Sequence, residues 1–381
     1  MRWIIGIVAV AHGLIHLLGA ARGLGWGDVP QLVEPISTGL GAAWLAAAVL
    51  TTTTGLLLLA RNRWWWIAGA TAVVTSQIVI FTSWTDANVG TAANLILLLA
   101  VIYGCASQGP RSARAQYLRR ARAALLAPAA VGVVSETDLQ RLPAPVSAYI
   151  RQSGALGQPG VTNFHAQFHG RIRSSATKPW MSFTGEQVNT YGAEPTRLFY
   201  MDATMLGLPV DVLHAFVAGT ATMRVKALSL VTMVNASGPD MDRAETVTVF
   251  NDLCVLAPAA LIHAPINWHT LDEHHVQGTY TSAANTVTAV LTFNDDHELI
   301  DFVSDDRLAG STDGKTFTRQ RWSTPISAYR DIDSRRLGTI GQAHWHAPEG
   351  EFTYLEFDLD HIAYNRPYAI NLGWRGRSRV T

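Results

Sequence analysis

Four long apolar runs open the chain, at residues 3–21, 38–60, 64–85 and 87–107, and apart from Asp86 at a junction they contain no Asp, Glu, Lys or Arg. Each is near the ~20 residues that a helix needs to cross the hydrocarbon core of a bilayer. Backbone polar groups in lipid must be satisfied within the chain, and these runs lack the alternation of barrel strands, so the pattern predicts four membrane-spanning helices. Trp3, Trp26, Trp64, Trp65, Trp66 and Trp84 fall near the predicted interfaces, where amphipathic rings are favoured. A cleaved leader competes for the first run, because Arg2 precedes it and Gly19, Ala20 and Ala21 end it. Small residues from Gly39 to Ala48 would let the second helix approach its neighbours closely, which points to a compact bundle.

Residues 111–127 are rich in Arg, Ala and Leu and contain neither Gly nor Pro, which predicts a helix lying at the membrane surface. Pro128, Pro143 and Pro145 punctuate the passage to the next domain, whose first helix is expected to begin at Ser135 or Pro145 and end at Ser153. Beyond Gly160 the period falls to about two, as in Phe164-His165-Ala166-Gln167-Phe168 and across residues 287–293. Further strands are predicted at residues 180–191, 196–202, 220–235, 276–282, 299–305, 316–322, 341–346 and 352–363. Asn294-Asp295-Asp296 and Thr312-Asp313-Gly314 suit short antiparallel connections.

Residues 240–263 interrupt the strands with a helical stretch broken near Pro258, and the helix itself is placed at 243–262. An extensive antiparallel sheet with one such helix must curl, or have the helix cover a face. The expected organisation is therefore an all-α transmembrane four-helix bundle at 1–108, a basic helical linker at 109–142, and an α+β domain at 143–381. That last domain is expected to be a curved antiparallel sheet or half-barrel with one covering helix.

Charge adds orientation. Arg2, Arg61, Arg63, Arg111, Arg114, Arg119, Arg120 and Arg122 share one side of a four-span topology, with Arg22 opposite. Basic residues are retained in the cytoplasm, so the chain is expected in the inner (cytoplasmic) membrane as a multi-pass protein, N-in and C-in, with its soluble domain cytoplasmic. Charged residues are only 15% of the chain, and the deficit lies before Arg111. Lys+Arg and Asp+Glu both total 29, so no global field draws the chain to nucleic acid, and no nucleic-acid partner is expected. Cys105 and Cys254 do not make a disulfide framework or a zinc spacing.

The segments Phe250-Asn-Asp-Leu-Cys-Val-Leu-Ala-Pro-Ala-Ala-Leu-Ile262, Asp305-Asp306-Arg307, Trp322-Ser-Thr-Pro325 and Trp345-His-Ala-Pro-Glu-Gly-Glu-Phe352 resemble a bacterial family of unknown function, DUF6544. The resemblance covers roughly residues 142–365 and leaves the four-helix portion outside. It implies a shared fold and brings no activity, substrate or catalytic residues.

Common enzyme signatures such as a phosphate loop, a nucleophile elbow or HExxH are absent. His12 and His16 share a helical face, and His344 and His346 share a strand face beside Glu349 and Glu351, so either pair is a candidate metal site. Interhelical hydrogen bonds to Asn94, Gln77 or the threonines at 51–54 are the plainer role for the first pair. Asn251, Asp252, Asp305, Asp306 and Arg307 would form a polar cluster if the helix crosses near the last strand of that group. Trp180, Phe250, Trp322 and Trp345 are the candidate ligand-binding residues, since a mismatch of curvature between helix and sheet leaves an apolar cavity. The expected function is that of a membrane-anchored protein binding a lipid or other apolar ligand, with the bilayer as partner. Its architecture would resemble lipoprotein-carrier half-barrels such as LolA. The alternatives are a metal-dependent membrane enzyme or redox component using the paired histidines, and an interaction module without a small ligand. No cofactor is identified by the sequence.

Overall fold

The computed structural model describes residues 2–126, 132–311 and 313–367. Pro128, Thr312 and the chain end at Thr381 lie outside the described residues. The chain divides into two compact units, Met1–Ala115 and Gln116–Thr381.

The first unit is helical. It contains α1 (Arg2–Gly23), α2 (Thr38–Leu59), α3 (Trp65–Thr82), the single turn α4 (Trp84–Ala87) and α5 (Gly90–Gln108). The helices α1, α2 and α3 and the segment containing α5 are long and apolar enough to cross a membrane. Their outer surfaces remain apolar, with Ile7, Leu14, Val74, Ile78, Phe81 and Leu99 exposed. Glycine sets the closest approach of α1 to α2, where a Cβ on Gly23 would lie 2.6 Å from the Gly41 Cα.

Polar side chains cross-link the inside of this unit. His16 Nδ1–H donates to the His12 carbonyl at 2.8 Å, Ser76 Oγ lies 2.8 Å from His16 Nε2, and His12 Nε2 lies 3.1 Å from Asn94 Oδ1. Ser76 Oγ donates to Asn94 Oδ1 at 2.9 Å, so the serine and His12 converge on one carboxamide oxygen. Asn94 Nδ2 donates to Gln77 Oε1 at 3.0 Å, so direct side-chain hydrogen bonds join α1, α3 and α5.

The helix α6 (Ala113–Ala124) runs across the boundary into the second unit, which continues with α7 (Glu136–Leu139) and α8 (Ala144–Gln152). A turn after Gln108 separates α6 from α5, and α6 packs on the sheet domain: Tyr117 is buried 6.0 Å from Tyr200, and Gln116 Oε1 accepts from Arg224 at 2.7 Å. The expected surface helix is thus partly sequestered by protein, because Tyr117, Ala121 and Leu125 form a buried stripe between its arginines.

Six strands follow as a meander: β1 (Asn163–Ile172), β2 (Met181–Thr190), β3 (Thr196–Met205), β4 (Leu208–Val217), β5 (Thr220–Ala227) and β6 (Val231–Ser237). Then come the helix α9 (Pro239–Leu256) and a 3-10 turn at Pro258–Ile262. The chain continues through β7 (Ile266–Thr270), β8 (His275–Ser282), β9 (Asn285–Phe293), β10 (Leu299–Ser304), β11 (Leu308–Gly310), β12 (Phe317–Arg319), β13 (Trp322–Ser323), β14 (Ile326–Ile332), β15 (Arg335–Ala347) and β16 (Gly350–Tyr364). Fourteen strands form one sheet in the order β6-β5-β4-β3-β2-β1-β16-β15-β13-β10-β9-β8-β7, with β14 on β15, while β11 and β12 pair separately. The sheet curls around α9 into an antiparallel half-barrel, an α+β architecture.

The helix α9 is buried on nearly every side. It starts at Pro239, where a missing N–H costs nothing, and Asp242 reaches out to accept from the Ala221 N–H at 2.6 Å. Pro258 ends it, forcing Ala257 out of helical geometry, and Tyr149 and Tyr364 donate to the freed carbonyls of Cys254 and Leu256 at 2.9 and 2.6 Å. The helix expected at 243–262 therefore begins earlier and stops at Leu256.

Several strands differ from expectation. Residues 220–235 are not one strand but the hairpin β5–β6, turned by Leu228 and Ser229 at φ 53 and 57, a left-handed geometry normally left to Gly, Asn or Asp. Each such residue costs roughly 1–2 kcal/mol. The strand β4 carries Pro209 near its start and buries apolar residues on both faces, which erases the alternation that would announce it. The stretch 316–322 divides between β12 and β13, which belong to different sheets. The strands β7 and β14 were not anticipated.

Candidate functional site

A cavity of about 390 Å³ lies between α9 and the inner face of the curled sheet, with the β11–β12 arm forming part of its wall. The helix acts as a partition. Met241, Glu245, Thr248, Asp252 and Val255 recur at helical spacing along the cavity side. Phe250, on the other side, packs into a solid core against Tyr280 and Phe302, with ring centroids 5.3 and 5.2 Å away.

One end of the cavity is apolar. Phe183, Met201, Ala203 and Val210 are buried together there, with Ile172, Val212 and Val225 packed against them. The other end is a buried charge cluster. Arg197 Nε donates to Asp252 Oδ2 at 2.6 Å and its Nη1 to Glu245 Oε2 at 3.1 Å. Gln187 donates to the same Asp252 oxygen at 2.6 Å, and Arg307 approaches Glu245 Oε1 at 3.5 Å. Burial opposes ionisation of Glu245, but the charges of Arg197, then His214 and Arg307, outweigh it and hold its carboxyl well below the usual carboxylate range.

The cluster leaves two buried nitrogens without hydrogen-bond partners, Arg307 Nε and His214 Nδ1. His214 Nδ1 is 3.5 Å from Glu245 Oε1, a long contact through which the imidazole helps to hold that carboxylate. Buried donors are almost always paired, so Arg307 Nε–H on the cavity wall marks a place for an acceptor supplied by something else. Arg307 is fixed by aromatic rings, its guanidinium carbon 5.4 Å from the Trp322 centroid and 6.0 Å from that of Trp345.

Of the residues proposed from sequence, Trp322, Trp345, Asn251, Asp252 and Arg307 line the cavity. Asn251 donates to Thr324 Oγ1 at 2.6 Å, which ties the helix to the strand side. Phe250 faces the solid core instead. Trp180 precedes β2 and lies outside the cavity beneath Arg171 and Arg173, at 4.6 and 4.4 Å. Asp306 accepts from Arg243 and Arg319, each at 2.6 Å, and Asp305 supplies its carbonyl to Arg319 at 2.7 Å, so both brace the arm leading to β11. His344 and His346 share Glu351, and His346 Nε2 is 2.8 Å from Ser323 Oγ. Among the described residues no group of three or more His, Cys, Asp or Glu is arranged to hold a metal ion.

Residues 132–357, which supply most of the half-barrel and the whole charge cluster, match DUF6544, a family of unknown function. The chain belongs to DUF6544. The helical unit of this DUF6544 protein lies outside the match. No curated protein matches the chain in sequence. Among solved structures it is similar to a DUF1329 family protein from Desulfovibrio piger, at 12% identity over 59% of this chain and 94% of that one, with a TM-score of 0.37. A putative outer membrane lipoprotein-sorting protein domain from Vibrio parahaemolyticus is similar at 11% identity, covering 62% and 95% of the two chains, with a TM-score of 0.35. A LolA superfamily protein from Nitrosomonas europaea is similar at 9% identity over 61% and 94%, with a TM-score of 0.32.

Arg197, Glu245, His214 and Gln187 were not foreseen as site residues of this DUF6544 protein. The available signal was a charge set against an apolar run, Arg197 before Leu198 and Phe199, and Glu245 as the last of the charges Asp240, Asp242, Arg243 and Glu245 before the run from Val247.

Proposed function

We propose that the half-barrel of this DUF6544 protein binds a lipid or another amphipathic molecule in its cavity, with four N-terminal helices anchoring it in a membrane. The observation that carries this reading is the two-ended cavity: an apolar compartment, and a charge cluster whose buried Arg307 Nε–H lacks an acceptor. A volume of about 390 Å³ falls within the range of small-molecule pockets. Because Arg197 and Arg307 are balanced by Glu245 and Asp252, the polar end suits a headgroup that accepts hydrogen bonds without needing to bring a full charge. Apolar atoms would fill the compartment around Met201 and Val212.

Filling that compartment tests the reading. In the full chain purified in amphipol, Val212→Trp is expected to weaken binding of a dansyl-labelled fatty acid at least about tenfold, equivalent to about 1.4 kcal/mol. Native mass spectrometry should show lipid co-purifying with the parent chain and not with the variant. Equal probe binding by both, with no lipid on either, would remove the cavity from consideration and favour an interaction module.

For the membrane part we propose a multi-pass inner-membrane topology, N-in and C-in, supported by the sidedness of the arginines. A reporter active only in the cytoplasm, fused after Thr381, is expected to be active. Activity only of a periplasmic reporter at that position would reverse the orientation.

A further inference from the structure

The β3–β4 and β5–β6 hairpins turn at the same end of the sheet, since four consecutive antiparallel strands put alternate turns on one side. From residue 203 to 210 and from 227 to 235 there is no charged residue. Leu206, Leu208, Leu228, Leu230, Val231 and Met233 are all exposed there, Leu206 to 86%. Connections between strands normally carry polar residues and glycine.

Backbone geometry makes these leucines more unusual. Leu206 and Leu228 occupy left-handed conformations, at φ 50 and 53. A leucine at each tip therefore suffers steric crowding and leaves its side chain in water, and nothing in the described structure offsets either cost. The β4–β5 turn at the opposite end is different, with small residues at its tip and Gly219 packed against Ala283.

Polar features beside the tips indicate the partner. Ile172 and Met181 form the last pair of β1 and β2 at this end, and the connection between them holds Arg173, Lys178 and Trp180. Arg171 is paired with Glu356, whereas Arg173 gives its hydrogen bonds to the carbonyls of Thr353 and Ala176 and keeps its charge. Lys226 lies at the base of the second tip. Separate apolar knobs flanked by a tryptophan and cations match the bilayer interface, where leucine enters the acyl boundary while indole and ammonium groups stay at headgroup level. A protein partner would call for a continuous surface with a polar rim, which two isolated tips do not provide.

We propose that the β3–β4 and β5–β6 tips dip into the interfacial layer of a phospholipid bilayer. The docking rests on the membrane reading of the N-terminal helices, but not on the cavity holding lipid. It would turn Ile172 and Met181, which are both partly exposed and line the cavity, toward the acyl region.

The test uses the full chain in phosphatidylcholine–phosphatidylglycerol vesicles. In a Cys105→Ser background, Leu206→Cys, Leu230→Cys, Val217→Cys and Ile78→Cys are each labelled with a polarity-sensitive nitrobenzoxadiazole dye. Labels at 206 and 230 are expected to shift to the blue and lose most of their fluorescence to shallow spin-labelled lipids, while the label at exposed Val217 does neither. Unquenched labels at 206 and 230 alongside a quenched label at Ile78 would overturn the docking alone. Quenching at none of them would overturn the membrane reading as well. Labels shielded from iodide but untouched by spin-labelled lipid would also overturn it, indicating contact with protein or a second copy.

Discussion

Arg197→Met is expected to destabilise the half-barrel by about 3–5 kcal/mol at neutral pH, the usual result of removing one partner from a buried ion pair. The side chains of Arg197 and Glu245 are only 9% and 2% exposed, and Asp252 depends on the same guanidinium. Methionine fills much of the space but leaves two carboxylates facing each other across a low-dielectric cavity. Direction with pH follows from the shift at Glu245. In the parent, its folded pKa is depressed, so its contribution is fully present above the unfolded value near 4.3 and is lost as pH falls toward the folded one. Without Arg197 the largest opposing charge is gone and burial weighs more heavily against the ionised carboxyl, so the penalty is greatest at neutral pH and shrinks as the carboxyl protonates. Urea unfolding of the full chain, followed by tryptophan fluorescence at pH 7 and pH 5, reads both effects. A variant within the error of the parent at pH 7, or one whose deficit grows toward pH 5, would contradict this account of the cluster.

Phe250→Ala is expected to cost a similar amount, about 3–5 kcal/mol, by a different mechanism. The ring is fully buried between Tyr280 and Phe302, and it rests against Gly278, where a Cβ would lie 2.7 Å from the ring's Cζ. Neighbours held by strands cannot collapse into the gap, so the variant loses both the buried area and the dispersion contacts around it. Because Phe250 faces away from the cavity, probe binding by the folded fraction should match the parent at low temperature. A drop in affinity without a drop in unfolding midpoint would place Phe250 at the ligand instead of in the core.

The four long apolar helices were legible because a run of about twenty residues without charge, lacking strand alternation, leaves a helix as the conformation that satisfies its backbone. Curling of the sheet was legible from one helix set among many strands, and the break at Pro258 from the chemistry of proline. Strand boundaries were less accessible. A strand buried on both faces, such as β4, loses its alternation, and the β5–β6 turn uses Leu228 and Ser229 where glycine or asparagine would have marked it.

For the site, aromatic residues on strands were a usable guide to Trp322 and Trp345. Trp180 misled because it stands just before β2, where alternation does not apply. On α9 the sequence could not tell the cavity side from the core side, since Asp252 and Phe250 stand in one continuous buried helix and only the folded sheet decides which of them faces the open space. Pairing of Arg197 with Glu245 joins residues 48 apart in the chain. Each charge looks isolated until the meander and helix are folded together.

The order of strands also constrains the timing of assembly. The first strand of the meander, β1, lies beside the last strand, β16, with Phe164 opposite Tyr364. During synthesis the β1–β6 meander and the later β7–β15 group can each form hairpins locally, but the seam between them has no second edge until Tyr364 has left the ribosome. Until then β1 is an unprotected edge, exposed to the wrong partner. Closing the seam is a long-range step whose entropic cost is met only at the end, so the cavity comes into being last, after the chain that encloses it is complete.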